Sequence, residues 1–227
     1  MIVDVGTGNG IWAWEMANEF PSCQVVGIDR RKPSEQISRC SNLSYIEASI
    51  FEPWPLADNS VHFIFQRNMG QDIPKEKWRF ILTEMHRVLR SGGEIELLEP
   101  DLWHHNPGPV QQAFDKFFQD LCIEMSINFT FTESLQQDIQ EVGFQNVQQH
   151  SLDIPIGEWP QDPELKQFGF MNKEIRKSFL KNRKPFYTSK WGFTSDKFDI
   201  VLQELMDEYD EYHGFSRFNC WTAKKVM

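Results

Sequence analysis

The chain has 227 residues, 40% of them hydrophobic and 25% charged, enough for one domain that buries about 70% of the surface its unfolded chain exposes. Its 23 Lys+Arg against 33 Asp+Glu give a net charge of −10, which excludes broad binding to nucleic acid or an anionic membrane, because both need a basic footprint. No apolar run could span a bilayer, Met1 leads into an apolar strand rather than a leader, and Cys23, Cys40, Cys122 and Cys220 lack C-x-x-C spacing, so free thiols in the reducing cytoplasm or nucleus are expected.

Ile2-Val3-Asp4-Val5 reads as a buried strand running into the turn Gly6-Thr7-Gly8-Asn9-Gly10. Three glycines in five residues permit a sharp bend and let a ligand lie against main-chain amides. The following helix has Ala13, Met16, Ala17 and Phe20 at i, i+3, i+4, i+7 and is stopped by Pro21. Val25-Val26-Gly27-Ile28 is a second strand ending in Asp29, where a carboxylate can accept from both hydroxyls of a ribose. Strand, turn, helix, strand and acid in that order predict a nucleoside-bearing cofactor. Asp29 would suit NAD as well, but the dinucleotide fingerprint needs a third glycine where this chain has Ile11.

The spacing Gly6-x-Gly8-x-Gly10 preceded by Asp4 resembles motif I of the class I S-adenosylmethionine (SAM) methyltransferases. That resemblance implies a Rossmann-like α/β fold with a seven-stranded, mainly parallel sheet whose last strand is antiparallel. It implies SAM held by Asp4, Gly6, Thr7, Gly8, Gly10 and Asp29. Members of the class carry one or two helices ahead of this strand that cover the cofactor; here that front cover is expected to be missing, as a fragment or a shortened product. Leu43 to Glu47 alternates like a third strand. After it the resemblance places Ser49 and Ile50 against adenine, with a hydroxyl where the family usually has an acid and Glu47 as a possible substitute. Pro53 to Ser60 is a loop and Val61 to Phe65 a fourth strand. Gln66-Arg67-Asn68-Met69 leaves its carboxyl end, where open α/β sheets bind ligands; Arg67 and its neighbours should border the methionine part of SAM. They do not form Asn-Pro-Pro-Tyr or Asp-Pro-Pro-Tyr, which disfavours nucleobase or glutamine nitrogens as acceptors.

Trp78, Ile81, Leu82, Met85, Val88 and Leu89 share one face of a helix that Ser91-Gly92-Gly93 is expected to cap, and Ile95 to Pro100 is a fifth strand. The run from His86 to Glu99 matches the family's approach to that strand. Within the class, "D-V-G-T-G-x-G-I-W-A-W-E-M-A" and Arg67-Asn68 resemble the fungal methyltransferases related to secondary-metabolism regulators.

Residues 1–100 are thus expected to bind SAM and 101–227 to build the acceptor side of a single domain. Glu99, Asp101, His104 and His105 lie at or beyond the end of the fifth strand. A hydroxyl or ammonium acceptor must lose a proton, and His104 or Glu99 is the right kind of group to take it; no ligand spacing supports a metal. An amphipathic helix carries Val110, Ala113, Phe114, Phe117, Leu121 and Met125. Another, capped by Thr132, runs through Leu135, Ile139 and Val142 to Gly143. Phe144 to Ile156 reads as a sixth strand and Phe215 to Ala223 as the seventh. Between them the aromatics from Trp159 to Trp191 alternate with Lys173, Arg176, Lys177, Lys181, Arg183 and Lys184, a basic stretch able to steer an anionic substrate or an acidic partner. The expected function is methyl transfer from SAM to a small molecule or a protein. A SAM-binding regulatory scaffold with little turnover is the alternative, and an NAD-dependent oxidoreductase the third.

Overall fold

The computed structural model describes residues 1–33 and 40–226. In chain order the elements are β1 (Ile2–Val5), α1 (Ile11–Glu19), β2 (Val25–Asp29), β3 (Leu43–Glu47), β4 (Val61–Arg67), α2 (Trp78–Val88), β5 (Leu89–Pro100) and α3 (Pro109–Glu124). There follow α4 (Phe131–Val142), β6 (Gln145–Pro155), α5 (Pro163–Asn182), α6 (Lys184–Trp191), α7 (Ser195–Glu211) and β7 (Phe215–Lys224). The seven strands form one sheet in the order β3-β2-β1-β4-β5-β7-β6, with β7 antiparallel, as the sequence implied. Val3, Val5, Val25, Ile28, Ile64, Ile95 and Leu97 are fully buried, the continuous apolar reading of parallel strands covered on both faces. In-register parallel pairs such as Val3 with Val26 and with Ile64 place β1 between β2 and β4. There the strand order reverses, so the turns leaving β1 and β4 diverge and open a crevice at their carboxyl ends.

The chain divides into two compact units. Unit 1 comprises Met1–Pro100, Met125–His150 and Asn219–Met227, and unit 2 comprises Asp101–Glu124 and Ser151–Phe218. In unit 1, α1 buries Ala13 and Ala17 against Val25, while α2 buries Trp78, Ile81, Leu82, Met85 and Val88. Phe131 of α4 stacks on Trp78 with ring centroids 5.2 Å apart, and α4 belongs to unit 1 rather than with residues 101–124. Unit 2 packs Phe114, Ile156, Leu180, Phe198, Leu202, Leu205, Met206 and Tyr209 into a core of its own. Glu208, buried, accepts from the amides of Val110 and Gln111 (2.8 and 2.9 Å) and caps the first turn of α3.

Two local expectations change. Helix α2 has no glycine cap: Leu89 is already extended and pairs with Val61, whereas Glu94 pairs with Phe63. The extra residues, with Gly92 at φ 75°, form a bulge in β5. Helix α4 starts two residues early, with Thr130 rather than Thr132 at the N-cap, because Thr132 is buried in the first turn; its glycine end, Gly143 at φ 112°, is as expected.

Candidate functional site

The turn after β1 takes its shape from backbone that only glycine adopts cheaply. Gly6, Gly8 and Gly10 have φ of 71°, 56° and 77°. The amides of Gly6 and Thr7 both donate to the Ile28 carbonyl, at 2.9 and 3.1 Å, which ties the turn to β2. Beneath it the Thr7 hydroxyl donates to Asp4 Oδ2 at 2.6 Å. Above it the Gly8 amide donates to Asp29 Oδ2 at 2.9 Å, and the Arg31 amide to Asp29 Oδ1 at 3.2 Å. Asp29 therefore faces the glycine turn from across the crevice. Among the described residues, nothing but the Gly6 carbonyl oxygen, at 3.9 Å, lies near where a Gly8 side chain would start, which leaves this stretch of backbone uncovered by them. These residues fit a nucleoside that lies over the turn with its sugar beside the Asp29 carboxylate. Ile11, where a dinucleotide site would need its third glycine, is the exposed first residue of α1, so the close helix–strand packing which that glycine serves is not built here.

Asp4 is buried, and burial pushes its carboxyl up to about 6, the Thr7 bond and the field of Arg67 opposing this more weakly. A carboxyl that holds its proton longer folded than unfolded contributes stability below about 4 and loses it as the pH rises through about 6. Asp4→Asn keeps an acceptor for Thr7 and never ionises. Its stability relative to wild type is expected to grow by on the order of 2 kcal/mol between pH 4 and pH 8, read from denaturant midpoints. A pH-independent difference would show that Asp4 is not held protonated.

Three neighbours complete the crevice and were not singled out as site residues from sequence. Tyr45 donates its hydroxyl to the Gly10 carbonyl at 3.1 Å, reaching across from β3, where it pairs in register with Gly27. Trp12 stacks on Phe65 with centroids 4.0 Å apart, joining α1 to β4. The Met69 thioether lies against Gly6, occupying the space of the missing Cβ. The signal for Tyr45 was an aromatic flanked by small residues on the neighbouring strand. Met69 stood in the run from Gln66 to Met69 expected to border the methionine part of SAM, but its contact with Gly6 depends on how the turn after β4 folds back.

Where the resemblance implied adenine, Asp29 is in register with Glu47 and its carbonyl accepts from the Ala48 amide, which brings the 48–50 turn beside Asp29. Ile50 is buried; the Ser49 hydroxyl accepts from the Phe51 amide at 3.2 Å and so closes the turn. Arg67 is exposed at the end of β4 with its guanidinium 5.8 Å from the Phe65 ring centre.

The two candidate bases are differently engaged. Glu99 is fully buried; Oε2 accepts from the amides of Met69 (2.8 Å) and Gly70 (2.9 Å), and Oε1 from Gln66 Nε2 (3.1 Å). His104, in unit 2, sets Nδ1 2.6 Å from Asp115 Oδ1 and Nε2 against the Arg176 guanidinium. Burial, then Arg176, lowers its pKa to about 4. A neutral ring that donates through Nδ1 and accepts at Nε2 satisfies Asp115 and Arg176, and the Gln111 side-chain amide also lies 2.8 Å from Nδ1, which leaves no ring nitrogen for a substrate proton. His105 pairs instead with Asp101 at 2.8 Å and stacks on Phe215. Among the described residues no cluster of three or more His, Cys, Asp or Glu could hold a metal ion. The basic stretch is largely matched within unit 2: Lys173 pairs with Asp210, Lys184 with Asp199, Lys190 with Glu124, and Arg183 lies 3.7 Å over Phe179.

A methyltransferase-domain family profile matches residues 2–93, the span that carries the glycine turn, Asp29 and the turn after β4. The N-methyltransferase gliN of Aspergillus fumigatus is 28% identical over 228 residues, covering 96% of this chain and 80% of that protein. The secondary metabolism regulator LAE1 of Cochliobolus heterostrophus is 27% identical over 239 residues, covering 99% and 76%. Among solved structures, the phosphoethanolamine N-methyltransferase 2 of Haemonchus contortus in complex with SAM superposes with a TM-score of 0.63 at 17% identity; it covers all of this chain, which spans 48% of that one. A sheet in this order, three left-handed glycines opposite a carboxylate, and relatives of this kind along its whole length support a class I SAM-dependent methyltransferase.

Proposed function

We propose that this protein methylates a small molecule of fungal-type secondary metabolism. SAM would be held by Gly6, Gly8, Gly10, Asp29, Ser49, Ile50 and Arg67, while Asp4 and Thr7 brace the turn from below. The observation that carries the donor site is the Gly8 amide bonded to Asp29 beside an open stretch of glycine backbone. Bound SAM supplies an electrophilic sulfonium methyl. The chain's part is to fix the sugar through Asp29 and to leave the ends of β1 and β4 clear for an in-line acceptor; positioning of that kind is worth several kcal/mol of barrier. A small acceptor is supported by an apolar cavity of ≈ 230 Å³ within unit 2, lined by Val110, Ala113, Phe114, Trp191, Phe193 and Val201, larger than a site that holds a benzene ring. With His104 locked neutral, the acceptor would bring a nucleophile that needs no base from that residue, such as an amine already deprotonated.

Asp29→Ala is expected to weaken SAM binding by about 30- to 100-fold, the loss of a charge-assisted contact worth roughly 2–3 kcal/mol. Calorimetry with SAM, S-adenosylhomocysteine and NAD reads this directly: saturable NAD binding with no SAM binding would overturn the donor site. Incubation with radiolabelled SAM and fungal extract, separated into metabolite and protein fractions, then tests the acceptor. Label in the metabolite fraction is the expected result, and label in protein alone would replace a small-molecule acceptor by a polypeptide. The occupied ring nitrogens of His104 favour one further reading, a SAM-binding regulator with little turnover, which tight SAM binding with no label in either fraction would support.

A further inference from the structure

The turn leaving β4 is held from below by one buried group. Its amides at Met69 and Gly70 point away from the crevice and onto Glu99, at 2.8 and 2.9 Å. Gln66, fully buried, donates its side-chain amide to the other oxygen of the same carboxyl. Gly70 permits this approach by standing where any Cβ would meet the Phe131 ring, at 2.1 Å from its nearest atom. With the two amides anchored, the Met69 side chain is turned back over the glycine turn, its sulfur 2.3 Å from the point where a Gly6 Cβ would sit. Among the described residues no hydrogen bond joins Glu99 to Gly8 or Asp29, and its link to the glycine turn runs through Met69.

We propose that Glu99 is a positioning residue of the donor site: its carboxylate fixes the turn after β4 so that Met69 closes the crevice beside Gly6. The proposal rests on the reading of this crevice as the SAM site. It gives Glu99 a task other than accepting a substrate proton, since all its hydrogen-bonding capacity toward the turn is used in the fold. A carboxylate can accept from two amides and a glutamine at once, whereas a protonated carboxyl or a glutamine side chain turns one of its two polar atoms into a donor and sets it against another donor. Burial pushes Glu99 up to about 7, the amides of Gly70 and Met69 and then Gln66 opposing this, with Asp72 the charged neighbour that raises it further. The anchor is therefore complete above neutral pH and weakened below it. Because burial disfavours the charge, removing it does not have to destabilise the protein, and this separates positioning from general support of the fold.

The test is titration calorimetry of SAM into the 227-residue wild type, Glu99→Gln and Met69→Ala at pH 6 and pH 8, with thermal melts of each and amide exchange of the unliganded chain. Wild type is expected to bind SAM about tenfold more tightly at pH 8 than at pH 6. Glu99→Gln should bind about tenfold more weakly than wild type at pH 8, with no difference between the two pH values. It should melt no lower than wild type at pH 8 and lose exchange protection at residues 69 and 70. Met69→Ala should weaken binding while keeping that protection. Wild-type affinity in Glu99→Gln at pH 8 would overturn the proposal while leaving the SAM site intact. A pH dependence that persists in Glu99→Gln would overturn it in favour of Asp4 as the titrating acid. Failure of wild type to bind SAM at either pH would sink the donor-site reading and the proposal with it.

Discussion

Gly10→Ala is expected to abolish measurable SAM binding and to lower the free energy of unfolding by about 3 kcal/mol. Two independent costs add. At φ 77° an alanine carries a left-handed penalty of roughly 1–2 kcal/mol. Its Cβ would stand 2.5 Å from the Tyr45 hydroxyl and 2.8 Å from Pro33 Cγ, and overpacking of that kind costs about 1–3 kcal/mol. Tyr45 has no free way out, because its hydroxyl is bonded to the Gly10 carbonyl, and the ring of Pro33 is rigid. Relief would have to come from the backbone of the turn, which is the part that presents Gly8 to the cofactor. Thermal melts with SAM calorimetry check both effects. Adding Tyr45→Phe should recover part of the stability and none of the binding. An alanine variant that melts and binds like wild type would mean that the turn is not constrained as described.

Gly169→Ala is expected to cost about 3 kcal/mol or to release α5 locally, although alanine favours a helix by about 1 kcal/mol over glycine. Here the obstacle is backbone: the new Cβ would lie 1.9 Å from the Gly157 carbonyl oxygen and 3.0 Å from its carbon. The same approach lets the Gly157 amide donate to the Gly169 carbonyl at 2.9 Å, docking α5 on the turn after β6. Lys173–Asp210 and the bond from Arg176 to the Tyr209 hydroxyl extend that attachment to α7. Hydrogen exchange should show residues 163–182 losing protection while β1 and β2 keep theirs. Gly192→Ala is the contrast: its φ of 66° carries a left-handed penalty that the helical Gly169 does not, but among the described residues nothing lies within 4 Å, so it should cost only about 1 kcal/mol. A Gly169→Ala variant that melts no lower than wild type would show that close packing at Gly169 contributes nothing.

The donor half was legible because its chemistry is local. Gly6, Gly8, Gly10 and Asp29 lie within 24 residues on two adjacent strands, and glycine spacing reports a backbone requirement before any contact is known. The face of α2 was legible for the same reason, and its six expected apolar residues are buried; that of α3 was less so, since Phe114 is buried but Ala113 is exposed and Met125 lies exposed beyond the end of the helix. The acceptor side was not. His104 and Glu99, five residues apart, are both of a type that moves protons, and sequence offered no reason to separate them. The structure gives one to the turn after β4 and the other to Asp115 and Arg176, partners 29 or more residues distant in the first case and up to 72 in the second. The basic run from Lys173 to Lys184 reads in sequence as an open field for an anionic ligand, with no sign that Lys173 pairs with Asp210 and Lys184 with Asp199.

What the amino-acid order determined alone is the sheet and its cofactor turn, since side-chain periodicity and the lack of a Cβ act on the residues that carry them. What only tertiary structure decided is which polar groups remain available. A buried carboxyl or imidazole is committed by partners from distant segments, and the cost of leaving such a group unpaired inside the protein makes that commitment complete. Glu99 and His104 owe their roles to that rule, and Met69 owes its place over Gly6 to Glu99.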